Sequence, residues 1–204
     1  MRFWRSLTAY TRAYALPVHT VLLAVCCLLL QAAQPQLIYQ ADRLWLEPWR
    51  LWTAHAVHVG WQHAALNITA LLLLPWIFPQ YPVHRFWLIL WLGCPLLSLC
   101  LSVALPDLLR YAGLSGILHG IYVSAAIHAC VTRSDLLVVR IFCIGLFVKL
   151  VLENMMYEPS TAQLIGAPVL TQAHYFGVAV VLMLSAVLGH FRPDSSQKSL
   201  NLTK

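Results

Sequence analysis

Charge is what this chain has least of. Of 204 residues, 13 are Lys or Arg and 7 are Asp or Glu, so 10% are charged against 60% hydrophobic, with a mean hydropathy of +0.73. A soluble globular domain carries about a quarter of its residues charged, which excludes that class and implies an integral membrane protein. The chain also lacks paired-cysteine spacing. Cys26, Cys27, Cys94, Cys100, Cys130 and Cys143 form no CxxC and all lie in apolar runs, so they read as small core hydrophobes rather than a redox motif or disulfide framework. No HExxH and no cysteine-containing zinc spacing occurs, and no metal or cofactor is expected.

What the chain has instead is a series of apolar runs of bilayer length, roughly 20 residues each. They are Leu16–Ala33, His63–Phe78, Arg85–Leu105, Gly113–Cys130, Asp135–Glu153 and Ala167–His190. The expectation is an all-α polytopic membrane protein of six spanning helices. One membrane domain, residues 16–190, would lie between a cytoplasmic N-terminal segment, 1–15, and a cytoplasmic C-terminal tail, 191–204. Gln31-Ala-Ala-Gln-Pro35 is a weak cleavage site, so the first run is expected to stay as an anchor rather than act as a signal peptide.

The formal charge of +6 does not point to nucleic acid, because its distribution is that of a membrane topology. Arg2, Arg5, Arg12, Arg85, Arg133, Arg192, Lys198 and Lys204 fall on one side if the N-terminus is cytoplasmic. Asp42, Glu47, Asp107, Glu153 and Glu158 fall toward the other. Basic cytoplasmic segments orient membrane helices, so both termini are expected inside, with membrane lipid as a partner and nucleic acid as none.

The chain is organised around Tyr111-Ala-Gly-Leu-Ser-Gly-Ile-Leu-His-Gly120. Ser115 stands between Gly113 and Gly116 where a polar loop gives way to an apolar helix. Free backbone N–H groups and the helix dipole can hold a developing oxyanion there. Gly116 and Gly120, four apart, form a small-xxx-small face for close helix packing. A turn followed by a packing motif is the plainer reading of these residues, and their partners decide between the two.

Those partners begin with the segment between Gln34 and Gln62, which carries Trp45, Trp49, Trp52 and Trp61 and is expected to lie half-sunk in the membrane interface. Within it, Arg50 reads as a pin that hydrogen-bonds loop carbonyls, with a phosphate-binding arginine as the other reading. His63 and Asn67 share one face at the start of the second helix. In the last helix Ala173 and Gly177 form a second small-xxx-small pair beside His174. With a cytoplasmic N-terminus, helices two, four and six all begin on the outer side. His63 with Asn67, Ser115 and His174 then share one depth, and Ser115 with His174 makes a nucleophile and general base. No carboxylate for His174 is evident, which fits a dyad.

In these features the chain resembles the rhomboid family of intramembrane serine proteases. The resemblance is carried by Trp49-Arg50, by His58 with His63-xxx-Asn67, by Gly113-Leu-Ser-Gly116, and by Ala173-His174-xx-Gly177. It implies that Ser115 and His174 are the catalytic dyad, that His63, Asn67 and the Ser115 N–H hold the oxyanion, and that His58 supports the loop and water network. Finer features resemble the rhombosortase branch: Gly-Leu-Ser-Gly-Ile-Leu-His119-Gly, and Lys149-xxx-Glu153. His119 stands where many rhomboids have an aromatic residue four after the serine. Lys149 and Glu153 read either as a structural i,i+4 ion pair or as a substrate contact.

The branch resemblance implies substrates that are exported proteins with a C-terminal Gly-Gly, a transmembrane helix and a basic tail. They would be processed at the bacterial inner membrane, with the acyl group passed to water or another nucleophile. A general rhomboid protease cutting single-pass membrane proteins is the alternative. Two further readings are a haem protein ligated by His63, His119, His128, His174 and His190, which leaves the serine motif idle, and a catalytically dead rhomboid, which the filled catalytic positions oppose.

Overall fold

The computed structural model describes residues 2–134, 136–155, 162, 166 and 169–189, with residues 2–14 and 154 described in backbone only. Asp135, Glu158, His190 and the expected tail 191–204, including Arg192, Lys198 and Lys204, lie outside the described residues. Among the described residues the helices are α1 (Arg2–Leu30), α2 (Gln34–Leu37), α3 (Arg50–Thr53), α4 (Trp61–Ile77), α5 (Val83–Ala104), α6 (Ser115–Thr132), α7 (Leu136–Met155) and α8 (Gln172–Val187). Each of the six long ones overlaps an expected apolar run. α1, however, begins at Arg2, so residues 2–15 continue that helix rather than forming an element of their own.

Among the described residues three spans reach membrane-crossing dimensions by length and composition: Ala15–Leu37, Val83–Ala104 and Ser115–Thr132. α4 and α8 are apolar but only 17 and 16 residues long, at the lower limit of about 17 for a span. α7 has 20 residues but carries Arg140, Lys149 and Glu153. Apart from the exposed Arg140 near its start, its outward stripe is apolar, with Leu137, Ile141, Ile144 and Phe147 all strongly exposed, a surface suited to lipid rather than water.

α6 is the central helix. Ile117, Ile121 and Ala125 are fully buried on it, as are Leu71 and Leu74 of α4 and Phe86, Ile89, Leu97 and Leu101 of α5. Lipid is as apolar as leucine, so helix association in a bilayer depends on close packing more than on escape from water. The small residues expected to provide that packing do so. A Cβ placed on Gly120 would lie 2.5 Å from the Gly177 carbonyl oxygen, and one on Gly116 would lie 2.8 Å from that of Ala173. The Tyr122 hydroxyl, donating to the Ala70 carbonyl at 2.7 Å, ties α6 to α4. α6 ends on Arg133 in the left-handed region (φ 55°).

The segment expected as an interfacial loop is more ordered than its sequence shows. Its strand β1 (Tyr39–Gln40) pairs antiparallel with β2 (Arg110–Tyr111), Tyr39 opposite Tyr111. The two-residue strands are too short for alternation to reveal them, and their pairing depends on contacts far apart in sequence. This ladder holds the first loop beside the segment that leads into Ser115.

Candidate active site

The site is built where the N-terminal ends of α4, α6 and α8 meet. Gly113 adopts φ 139°, a conformation side chains rarely allow. A Cβ there would fall 2.7 Å from the His63 ring, so the glycine serves both the turn and the approach of His63. Its N–H donates to the Ala54 carbonyl at 2.9 Å, and the Tyr111 hydroxyl donates to its carbonyl at 2.9 Å. The Gly113 N–H is thus engaged in holding the loop, and the residue supports the turn that leads into Ser115. Ser115 opens α6, where first-turn N–H groups have no intrahelical carbonyl to bond.

His174 is buried on the first turn of α8. Its Nε2 lies 3.1 Å from Ser115 Oγ, hydrogen-bond range for a base and the hydroxyl it would deprotonate. The close approach of α6 and α8 makes that distance possible. Behind the ring, His174 Nδ1 lies 2.9 Å from Glu153 Oε2. The sequence reading found no carboxylate for His174, and the structure corrects it: Glu153, near the end of α7, occupies that place. The signal was present in part, since Lys149 and Glu153 stood out at i,i+4, but nothing in one sequence says that this helix end faces α8.

Lys149 and Glu153 form an ion pair at 2.5 Å, one of the two readings of their spacing, and it is one link of a larger network. Lys149 Nζ also donates to His119 Nε2 at 3.1 Å, and His119 Nδ1 reaches the Ser115 carbonyl at 2.7 Å. The His119 and His174 rings stack with centroids 4.2 Å apart and an interplanar angle of 19°. His119 therefore supplies a flat face against His174, as the aromatic residue it replaces would.

On the opposite wall, His63 and Asn67 are buried on α4. Asn67 Nδ2 donates to the His63 carbonyl at 2.9 Å, which uses one of its two N–H groups. His58 stands edge-on to His63, ring centroids 5.2 Å apart. The Gln31 side chain brackets the His58 backbone, accepting from its N–H at 2.9 Å and donating to its carbonyl at 2.8 Å. Gln31 had no signal in the sequence. Burial holds the His58 imidazole down to about 3, helped by the neighbouring His63, and burial likewise holds His55 down to about 4. His55 Nε2 contacts Ser98 Oγ at 2.9 Å and the Cys94 carbonyl at 3.0 Å, another support missed in sequence.

His63, Asn67, Ser115, His119, Lys149 and His174 share one cavity of about 310 Å³. Beyond this polar end it is lined by apolar side chains of α4, α6 and α7, among them Leu66, Leu73, Leu118 and Phe142, a lining suited to an apolar peptide. Trp49 and Arg50 lie outside it. Arg50 is buried, ion-pairs with Glu47 and donates to the Ile38 carbonyl at 2.6 Å, the geometry of the loop pin. Trp49 is half exposed, and Gly116 serves the helix contact.

Residues 46–191 match the family model of the rhomboid domain, which is well over half of the chain. No curated protein matches the chain.

Proposed function

The chain belongs to the rhomboid family of intramembrane serine proteases, and from that premise we propose that Ser115 is its nucleophile and His174 its general base. The observation that carries this reading is the 3.1 Å contact of Ser115 Oγ with His174 Nε2 at the polar end of an apolar cavity. In the proposed reaction the Ser115 oxygen bonds to the substrate carbonyl carbon while its proton passes to His174 Nε2. The carbonyl π pair moves to oxygen, and His63, the second Asn67 N–H and the Ser115 backbone N–H stabilise that oxyanion. Collapse breaks the C–N bond, and His174 returns the proton to the leaving amine. Water, or another nucleophile, then releases the acyl group.

The proposed substrates are exported proteins with a C-terminal Gly-Gly and a transmembrane tail, in the manner of rhombosortases. The physical support is that an intact helix hides its carbonyls in i to i−4 bonds. A glycine weakens a helix by about 1 kcal/mol relative to alanine, so a Gly-Gly pair at the outer end of an apolar segment favours local unwinding. The topology that goes with this reading has six spans, both termini in the cytoplasm, and a site opening to the periplasmic side of the bacterial inner membrane.

The test is the processed fraction of a co-expressed substrate whose tail carries Gly-Gly or Leu-Leu, with mass spectrometry of the new C-terminus. Cleavage confined to the Gly-Gly tail supports the rhombosortase reading. Equal cleavage of both leaves a general rhomboid protease acting on single-pass membrane proteins.

A further inference from the structure

Lys149, Glu153, His119 and His174 form a hydrogen-bonded ring with Ser115, which enters it through both its hydroxyl and its backbone carbonyl. The two charged members set the tautomers of the neutral imidazoles. Lys149 has an ammonium group that can only donate, and Glu153 has a carboxylate that can only accept. Lys149 Nζ bonds both Glu153 Oε1 and His119 Nε2. His119 Nε2 must therefore be an acceptor, so its proton is on Nδ1 and is donated to the Ser115 carbonyl. Glu153 Oε2 must accept from His174 Nδ1. The neutral His174 imidazole then carries its one proton on Nδ1, and Nε2 presents a lone pair to the Ser115 hydroxyl. With both imidazoles neutral, one assignment satisfies all five contacts.

We infer that Glu153 is a positioning residue for His174, set by Lys149, so that the site works as a serine, histidine and carboxylate assembly rather than as a dyad. The inference rests on the proposal that Ser115 and His174 do the chemistry. Glu153 acts through the ring. It holds the imidazole in the tautomer that can take the Ser115 proton, and its negative charge faces the positive charge that develops as the proton arrives. Its side chain is 6% exposed and that of His174 is 2% exposed, so water competes little for either group. The Lys149 ammonium balances the buried carboxylate, which would otherwise be costly to keep charged. His119, Glu153 and His174 also bring three possible metal-ligand atoms within 4.8 Å of one another. Lys149 bonds two of those three residues, so the cation of this cluster is the ammonium.

The ring makes a prediction that a structural role for Glu153 does not. In Glu153→Gln the amide has one acceptor and one donor end, and Lys149 requires the acceptor. The NH₂ end must then face His174 Nδ1, which moves the ring proton to Nε2 and leaves the Ser115 hydroxyl without a base. Removing Lys149 as well frees the amide to turn its oxygen back to Nδ1. The substitution that is harmful alone should be partly rescued by a second one.

The experiment measures the second-order rate of labelling by a serine-directed fluorophosphonate, which requires no peptide substrate. It compares purified wild type, Glu153→Gln, Lys149→Met, the double variant and Ser115→Ala, each checked for its detergent-solubilised thermal midpoint. Glu153→Gln should label slower by about 10⁴-fold, the scale of a wrong-tautomer histidine in a serine protease. The double variant should recover about tenfold or more over Glu153→Gln, a non-additivity expected of one coupled network. Labelling of Glu153→Gln at the wild-type rate, or a double variant no faster than Glu153→Gln, overturns the inference. A second measurement needs no variant at the carboxylate: ¹⁵N shifts of ring-labelled His174 in the wild-type protein should show a protonated Nδ1, and a protonated Nε2 overturns it as well. Ser115→Ala separates the two levels of the account. If it still labels, the proposed nucleophile is wrong. If it is blank while the Glu153 results fail, only the inference falls.

Discussion

Gly177 of α8 packs directly on the backbone of Gly116 in α6: a Cβ on Gly177 would fall 2.0 Å from the Gly116 carbonyl oxygen and 2.5 Å from its carbonyl carbon. Backbone cannot move aside as a flexible side chain can, so the helices must separate if either residue grows. The contact adjoins Ser115 in sequence and lies about one turn from His174, so it bears on the distance between them.

Gly177→Ala should therefore reduce cleavage severely and lower stability by about 1–3 kcal/mol, the usual range for overpacking a filled contact. Gly145 on α7 supplies the control, because a Cβ there meets nothing within 4 Å. Thermal midpoints and cleavage rates of Gly177→Ala and Gly145→Ala, measured in the same detergent, check this. Loss only in Gly177→Ala is expected, and equal behaviour of the two would remove the contact from the account.

Asn67 keeps one amide N–H beyond its bond to the His63 carbonyl. If that N–H meets the oxyanion, Asn67→Ala should lower turnover by about 100-fold or more with KM little changed. Steady-state kinetics on a tail substrate separate the two parameters. Intact turnover with a raised KM would assign Asn67 to substrate binding instead.

His55 and His58 predict a pH dependence of stability. Each is buried, and its folded-state value, about 4 for His55 and about 3 for His58, lies below the ordinary 6.5. Between those values and 6.5 the unfolded chain binds more protons than the folded one, so stability falls as pH drops below about 6.5 and is fully present above it. The unfolding free energy should decline between pH 7 and pH 5 by at most about 1.4 kcal/mol per pH unit for each histidine, and the thermal midpoint should fall with it. His58→Phe, which keeps a ring and removes the titration, should show a shallower decline. An unchanged slope would mean that other groups set the acid sensitivity.

Much of this was legible in the sequence because it rests on local spacing. Scarce charge and runs of bilayer length gave the helices, and Gly116, Gly120, Ala173 and Gly177 gave the face on which α6 and α8 meet. Ser115 and His174, each at a helix start, were legible for the same reason. Contacts that depend on which helix ends face each other were not. Glu153 could be paired with Lys149 by counting four residues, but its approach to His174 depends on where α6 places the end of α7 relative to the start of α8. Gln31 on the His58 backbone, the β1–β2 ladder and the Gly113 N–H on Ala54 are likewise long-range contacts with no periodic signature.

The proposed role of Ser115 as nucleophile can be read from the purified protein by peptide mapping after reaction with a serine-directed phosphonate. A single adduct on Ser115 is expected in wild type and none in Ser115→Ala, with loss of tail cleavage in both Ser115→Ala and His174→Ala while each remains folded in the membrane. An adduct on another residue, or cleavage that persists in Ser115→Ala, would contradict it.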